Sequence, residues 1–280
     1  MKVSVIIPIG NEKMWPRCRS SIEASIAMCG TGVEFEVIPC FDLDHRGVSI
    51  ARNDGLSMVT GDWIAWVDCD DEVHEQWAGR IAEEICNGCD VLAFGARMVR
   101  DDGACETRPC LRPIEVPANL FLKDCLRDLR GSTWLWNKVF KRSLFDGLRF
   151  EGETQEDFRI MPRVLSRAKQ VKAIPDILYT YYRPSESLTH NGGGEMNAVG
   201  IIAAIDDKLC GIRNLSEIMA AWEEGCALRA ADYLYHSRMV SELSSFLRKK
   251  IWRILINPRQ SIRVKVKSIL ASLGIKSRRD

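Results

Sequence analysis

The 280-residue sequence lacks two features that would direct it into or across a membrane. It has no run of eighteen or more apolar residues, so a membrane-spanning helix is not expected. Its first residues, MKVSVIIPIGNE, form a strand pattern directly, without the basic and apolar regions of a signal peptide. We therefore expect a cytoplasmic protein.

The sequence also lacks a cysteine framework. Its eleven cysteines are odd in number and scattered, which favours a reducing compartment over a disulfide-bonded one. Cys86 and Cys89 form a close pair in CNGC, but no second pair follows at zinc-finger spacing. We interpret this pair as a coincidence at a helix end rather than a metal or redox site.

The balance of charge is uneven along the chain. With 46% hydrophobic and 28% charged residues, the composition is that of a globular protein. Residues 1–195 contain 24 Lys and Arg against 30 Asp and Glu, whereas residues 196–280 contain 15 against 8. The two parts are therefore expected to face different partners.

Strand and helix patterns alternate through the first part of the chain. Apolar runs rich in β-branched residues occur at 3–9, 35–41, 63–67 and 90–95 and predict buried strands. Helical spacing follows the first strand, and further helices are predicted near 49–60, with Ser49 as a possible N-cap, and 75–87. This alternation predicts an α/β fold with a mostly parallel central sheet.

The pattern is less regular beyond Gly95. Residues 96–116 resemble a hairpin or loop excursion, helices are predicted at 118–129 and 156–168, and ILYTYYRP predicts a late strand. The run Gly192–Gly194 marks the predicted boundary between an α/β domain, residues 1–194, and a helical region, residues 195–280.

Three aspartates crowd the end of a predicted strand in WIAWVDCDDE, residues 63–72. Ligands of open α/β sheets bind at the carboxyl ends of the strands. If the chain stays extended, Asp68 and Asp70 point to one side, and two carboxylates there suit Mg²⁺ or Mn²⁺ bound with substrate phosphates. Alternatively, Asp70 or Asp71 caps the following helix.

Five segments occur in an order and with a character that resembles the family 2 glycosyltransferases, inverting enzymes of the GT-A fold. They are VSVIIPIGNE, GVSIARNDGLSMVTGDWIAWVDCDDE, WNKVFKRSLF, EGETQEDFRI and YYRPSESLTH, within residues 1–190. The resemblance implies a nucleotide-sugar donor, a divalent cation held by a DxD motif and a catalytic base in an acidic ED motif.

The resemblance assigns these roles to particular residues. Asp157 matches the catalytic base, with Glu156 beside it, and Asp70 matches the metal ligand. His190 falls where some relatives place a third metal ligand or a diphosphate contact. The positions implied to contact the nucleotide sugar are Pro8, Asn11, Glu12, Arg52 and Asp68.

One segment departs from the family. After the second strand, the family has a turn whose aspartate reads the nucleotide base, followed by a helix and a strand. Here VIPCFDLDHRGVSIARN is much shorter. Asp42 or Asp44 could replace that aspartate, or the segment could be a plain solvated turn.

The expected chemistry needs both groups of carboxylates. A dication stabilises the charge that develops on the leaving diphosphate. Inversion requires a proton acceptor for the attacking hydroxyl, and a positioned carboxylate provides one. Asp157 opens a predicted helix, whose N-terminus favours the ionised carboxylate, although acidic residues are common in first turns.

STWLWNKVFKRSLF supplies candidate acceptor contacts in Trp136, Asn137 and Lys138, because aromatic faces stack on sugar rings and amides bind hydroxyls. Core packing by Trp134 and Phe140, with the lysines in solvent, is the alternative.

The chain becomes strongly basic near its end. Eleven Lys and Arg and no acidic residue lie between Arg248 and Arg279. Apolar residues at helical spacing predict two short amphipathic helices, divided at Asn257-Pro258, and residues 246–280 are predicted to bind the inner face of the cytoplasmic membrane. The alternatives are a helix packed on the catalytic domain and, more weakly, a nucleic-acid surface. The apolar positions are Leu247, Ile251, Ile254, Leu255, Ile262, Val266, Ile269 and Leu270.

We therefore expect a metal-dependent inverting glycosyltransferase that moves a sugar from a UDP-sugar to a cell-surface polysaccharide, lipopolysaccharide or lipid-linked glycan, with no nucleic-acid partner. A nucleotidyltransferase is one alternative, but PIGNEKMWPR is a poor match to its glycine-rich phosphate loop. A catalytically inactive sugar-nucleotide-binding or scaffold protein is the other.

Overall fold

A computed structural model describes residues 1–85, 88–110, 115–128, 133–183, 194–207, 209, 212, 215–237 and 240–276. Cys86, His190, Gly192 and Gly193 lie outside the described residues. The strands are β1 (Lys2–Ile9), β2 (Glu34–Phe41), β3 (Trp63–Trp66), β4 (Glu72–Val73), β5 (Val91–Arg100), β6 (Cys105–Arg108), β7 (Glu115–Pro117), β8 (Lys138–Lys141) and β9 (Gln170–Arg183). The helices are α1 (Trp15–Ala27), α2 (Val48–Met58), α3 (Trp77–Ile85), α4 (Ala118–Leu126), α5 (Glu156–Leu165), α6 (Gly194–Asp206), α7 (Leu215–His236), α8 (Ser241–Ile256) and α9 (Ile262–Ser272).

The strands form one sheet in the order β2-β1-β3-β8-β5-β9-β4, with β6 paired to β5 and β7 paired to β9. Pairing is parallel for β1 with β2 and β3 and for β5 with β9, but antiparallel elsewhere. The prediction of a mostly parallel central sheet is confirmed, because β2, β1, β3, β5 and β9 run in one direction, and β8 enters between β3 and β5 in the opposite one. The α/β class and the hairpin beyond residue 95 are confirmed.

Helices cover both faces of the sheet. Alternate residues of β1 point to opposite faces, so that Val5 and Ile7 join one hydrophobic cluster and Ile6 joins the other. The first cluster is completed by α1 and α3, and the second by α2, α4, α5 and α7. Burial on both faces explains why β1 is apolar from Val3 to Ile9 except at Ser4.

Several helix ends differ from the predictions. Gly47, with φ of 110°, is the N-cap of α2, and Ser49 instead donates its hydroxyl to the carbonyl of Gly152. α4 ends at Leu126 and α5 at Leu165, each one turn or less before the predicted end. The Ser49 contact joins α2 to the loop that precedes α5.

The region beyond residue 194 is helical, as predicted, and packs on the sheet domain. The rings of Phe158 in α5 and Trp222 in α7 stack with centroids 4.4 Å apart. Arg163 in α5 forms a paired hydrogen bond with Asp207 at 2.6 and 2.9 Å. The helical region and the sheet domain therefore share one core, and the residue that divides them stays a prediction.

The two terminal helices differ in which apolar residues they expose. Leu247 and Ile254 of α8 are buried against α7, so the predicted lipid-facing side of α8 points inward, as in the alternative of a packed helix. Ile262 and Val266 of α9 are 82% and 50% exposed. Among the described helices, none has the length and apolar character needed to cross a bilayer.

Candidate active site

The three aspartates after β3 lie in a tight turn. The Asp71 amide donates to the Asp68 carbonyl at 3.1 Å, so the extended backbone on which a shared face of Asp68 and Asp70 depended is not formed. β4 separates the turn from α3, which begins at Trp77. Helix capping, the alternative role for Asp70 or Asp71, is therefore wrong.

Asp71 fixes this turn to β9. Its side chain is buried and accepts from the Tyr179 hydroxyl at 2.9 Å and from the Tyr182 amide at 2.8 Å. The Tyr179 hydroxyl in turn accepts from the Asp68 amide at 3.0 Å. Burial, with Asp70 and Asp68 nearby, raises the pKa of Asp71 well above its ordinary value. The third aspartate thus has a structural partner within the protein.

Arg52 joins the turn to the ED motif. Its guanidinium, with a side chain 8% exposed, lies 3.4 Å from Asp68 and also pairs with Glu156. Burial raises the pKa of Asp68 to about 6, opposed by Arg52. Asp68 and Glu156 therefore meet at the Arg52 guanidinium between β3 and α5, and the three residues were predicted from separate segments.

Asp157 lies beside this bridge at the N-terminus of α5. Its Oδ1 accepts from the Phe158 amide at 2.6 Å. Burial raises the pKa of Asp157 to about 6, and Glu156 adds to the rise, while Arg52 and Arg229 oppose it. A carboxyl with this pKa is ionised at neutral pH yet basic enough to accept a proton.

Asp70 is the carboxylate of the turn that is best placed for an outside ligand. Its carbonyl accepts from Arg17, whose guanidinium also lies 3.0 Å from Glu72 and 4.0 Å from the Tyr182 ring centroid. In the described ranges, no side-chain partner is found for its carboxylate, and no group of three or more His, Cys, Asp or Glu could hold a metal. Carboxylates at Asp70 and Asp68 fit a hard dication that takes its other ligands from phosphate oxygens.

The end of β1 lies beside the same turn. Burial raises the pKa of the Cys69 thiol to about 11, and the backbone of Asn11 and Gly10 at the end of β1 opposes this rise. Asn11 and Glu12 are exposed there, as expected for residues that bind a nucleotide. Pro8 is buried in β1 opposite Cys40, so the predicted nucleotide contact by its side chain is wrong in this conformation.

Asp42 is occupied by its own turn. It is 5% exposed, and its two oxygens accept from the amides of Arg46 at 2.9 Å and Gly47 at 2.8 Å. Although burial opposes them, these hydrogen bonds hold the pKa of Asp42 below its ordinary value. Asp42 thus shapes the turn that leads into α2, whereas Asp44 is exposed.

Two of the predicted acceptor contacts are contradicted by burial. Trp136 is 3% exposed and stacks on Tyr179 with centroids 4.3 Å apart. Lys138 is 1% exposed and donates at 2.7 Å to the Trp134 carbonyl and to Asn137, which is half-buried. Burial lowers the pKa of Lys138. Trp136 packs in the core, as the alternative expected for its neighbours Trp134 and Phe140. That alternative placed the lysines in solvent, whereas Lys138 lies in the interior.

Sequence reasoning missed the residues that hold the ED loop. Gln155 has a left-handed backbone with φ of 59°, and its side chain bonds Asn197 of α6 at 2.9 Å and Arg229 of α7 at 3.0 Å. The position of Gln155 before ED was a weak signal. Nothing in a single sequence connects Arg229 to it.

Comparison with known proteins finds glycosyltransferases. The family model described as Glycosyl transferase family 2 matches residues 40–149. The uncharacterized glycosyltransferase EpsJ of Bacillus subtilis is 28% identical over 52% of this chain and 44% of its own. Glycosyltransferase GlyA of Streptococcus pneumoniae is 24% identical over 64% of this chain and 30% of its own. The chain thus spans less than half the length of these curated relatives.

Solved structures give the fold. The crystal structure of S. aureus TarS 1-349 in complex with UDP-GlcNAc is 13% identical and has a TM-score of 0.59 over 97% of this chain and 89% of that one. The complex of the same protein with UDP gives a TM-score of 0.56 at 16% identity. The GT-A fold predicted from the sequence is therefore confirmed. The segment of residues 40–149 is thus similar to glycosyl transferase family 2, and the likeness in fold to the solved structures extends over 97% of this chain.

Proposed function

We propose that this chain is a metal-dependent inverting glycosyltransferase that moves a sugar from a nucleotide sugar to an acceptor hydroxyl. The observation that carries this proposal is the Arg52 bridge. It holds Asp68, at the carboxyl end of β3, and Glu156, next to Asp157, on one buried guanidinium. A donor-side carboxylate and the residue next to the candidate base are thereby held together on one guanidinium.

The residues divide the work as follows. Asp157 accepts the proton of the acceptor hydroxyl. The hydroxyl oxygen bonds to the anomeric carbon of the donor sugar as the bond from that carbon to the diphosphate breaks on the opposite face. Asp70 and Asp68 would hold Mg²⁺ or Mn²⁺, which when bound neutralises charge on the leaving diphosphate. Arg52 holds Asp68 and Glu156 in position through its two ion pairs.

The proposed donor is a UDP-sugar and the proposed acceptor is a cell-surface or lipid-linked glycan. TarS, the neighbour in fold, is described in complexes with UDP-GlcNAc and UDP. A Haloferax volcanii relative, 28% identical over 35% of this chain, is named a glucosyl-dolichyl phosphate glucuronosyltransferase, and its name contains a lipid-linked sugar. Both facts support the proposal without extending to linkage or sugar.

Donor binding is tested by thermal unfolding with a panel of UDP-, GDP- and dTDP-sugars and Mn²⁺. At a donor concentration of about 100 times Kd, binding to the native state stabilises it by about 2.7 kcal/mol, so Tm is expected to rise by several degrees with a UDP-sugar. Excess EDTA or Asp70→Asn should remove most of the rise. Asp102→Asn, in the exposed turn between β5 and β6, is the matched control. No shift with any donor would contradict the proposal.

We propose that this chain binds a membrane surface, and the supporting observations are in α9. Ile262, Val266, Ile269 and Leu273 are all exposed and recur at helical spacing, so they form a stripe on one side of the helix. No ion pair is found for Arg263 or Lys265 within the described part of the chain. An apolar stripe flanked by free cations fits the headgroup region of an anionic bilayer.

The membrane proposal is tested without deleting α8, whose Leu247 and Ile254 belong to the core. Sedimentation with phosphatidylglycerol-containing vesicles should fall at least about tenfold for a triple Gln substitution of Ile262, Val266 and Ile269. A double Gln substitution of Met28 and Met58, which are exposed elsewhere, should bind as the wild type does. Equal binding by all three proteins would remove α9 as the membrane contact.

A further inference from the structure

The loop before the ED motif is clamped by helices from the far end of the chain. The Thr154 hydroxyl donates to the Met196 carbonyl of α6 at 2.8 Å. Gly200 of α6 lies directly against this residue, because a Cβ at Gly200 would be 2.3 Å from the Thr154 hydroxyl oxygen and 2.5 Å from its carbonyl oxygen. Helix α6 therefore approaches the loop as closely as a backbone can.

Gln155 is held in a conformation that it would not adopt freely. Its φ of 59° and ψ of 17° are left-handed, a region that is unfavourable for residues other than glycine, Asn and Asp. Such backbones persist only where the surroundings fix them. Here the Gln155 amide nitrogen donates to Asn197 at 2.9 Å, and its oxygen accepts from Arg229 at 3.0 Å.

Arg229 is itself fixed on all sides. Besides Gln155, its guanidinium donates to the Thr133 hydroxyl at 3.2 Å and to the Gly225 carbonyl at 3.4 Å. It also lies over the Phe158 ring, 3.5 Å from the centroid. The guanidinium of Arg229 thus contacts Gln155 before the ED pair and Phe158 after it, and these contacts fix its orientation.

We propose that Arg229 is a positioning residue of the candidate active site, and that α6 and α7 complete this site by fixing the direction of the ED carboxylates. The inference rests on the function proposed above. The ionisable groups that face Asp157 are Glu156 on its own helix, Arg52 of α2, Lys138 of β8 and Arg229 of α7. Arg229 opposes the rise in the pKa of Asp157, which agrees with a place beside the carboxylate.

Steady-state kinetics of the full chain with Arg229→Met tests the inference. Because the base is misdirected while the donor site is intact, kcat should fall about 10- to 100-fold with the KM for the UDP-sugar changed less than about threefold. Arg229→Lys keeps the positive charge but lacks the planar set of guanidinium donors, so its kcat should lie between those of the wild type and Arg229→Met. The milder Asn197→Ala, which removes the other Gln155 bond, should lower kcat about three- to tenfold.

Arg127→Met is the matched control. Arg127 also ties α7 to the sheet domain, pairing with Glu224 at 3.0 Å, but within the described residues no hydrogen bond or ion pair joins it to the ED loop. Amide hydrogen exchange of residues 151–158 should accelerate in Arg229→Met and Asn197→Ala and remain unchanged in Arg127→Met.

Two outcomes would overturn the inference. If Arg229→Met, Asn197→Ala and Arg127→Met lose activity only in proportion to their folded fraction, α7 supports the fold and does not position the site. If the wild-type chain turns over no nucleotide sugar, the proposed function fails and this inference fails with it. Should Arg229→Met not fold, Arg229→Lys and Asn197→Ala decide by the same measurements.

Discussion

Asp157→Asn is expected to lower kcat by about 10²- to 10⁴-fold, the usual contribution of a positioned general base. The amide has nearly the shape of the carboxyl but cannot accept the acceptor proton, so donor binding should persist. Turnover and the thermal shift with a UDP-sugar, measured on the same preparation, separate the two effects. Unchanged turnover with retained donor binding would show that Asp157 is not the base.

The pH dependence provides a control for this variant. Burial raises the pKa of Asp157 to about 6, so wild-type kcat/KM should fall as the pH is lowered through about 6. Folding favours the protonated carboxyl, so its contribution to stability is present at low pH and is lost as the pH rises through about 6. Asn resembles the protonated form, and Asp157→Asn should therefore unfold at the same Tm as the wild type or a higher one at pH 8. A large loss of stability would indicate a structural role instead.

Arg52→Met is expected to lower the free energy of unfolding by about 3–5 kcal/mol, the cost of removing one partner from a buried ion pair. The loss leaves Asp68 and Glu156 beside each other without a cation. Urea unfolding at pH 7.5 measures the effect. It should shrink at pH 5, because Asp68, whose pKa is about 6, is then largely protonated.

Arg19→Met is the comparison for that measurement. Arg19 pairs with Glu23 on an exposed helical face, both side chains being more than half exposed. Pairs of this kind contribute about 0–1 kcal/mol. If Arg52→Met cost no more than Arg19→Met, the Arg52 bridge would not be a structural link between β3 and α5.

Sequence patterns predicted the parts of this molecule that depend on local order. The apolar run of β1 and the helical spacing around Cys18 and Ile22 correspond to β1 and α1. The resemblance to the family 2 glycosyltransferases also singled out Arg52, Asp68 and Glu156, which the fold brings together. These features could be predicted because each depends on the order of residues within a short segment.

The remaining features depend on partners distant in sequence. β8 reads as a strand in either direction, and pairing with β3 and β5 alone makes it antiparallel. Trp136 and Lys138 are residue types found at sugar-binding surfaces. In the fold, however, Trp136 stacks on Tyr179 and Lys138 donates to the Trp134 carbonyl, so both are buried. The contacts that distinguish Asp71 from its two neighbouring aspartates likewise come from β9.

The glycines of α6 and α7 bear on how this chain can be recombined with its relatives. A Cβ at Gly225 would lie 2.4 Å from the Leu126 carbonyl oxygen, and one at Gly200 would lie 2.3 Å from the Thr154 hydroxyl oxygen. A chimera joined near residue 194 would take Gly200 and Gly225 from one parent and Thr154 and Leu126 from the other. Exchange of the C-terminal helices between relatives should therefore succeed only when both glycines are carried across, since even alanine would force these backbones apart.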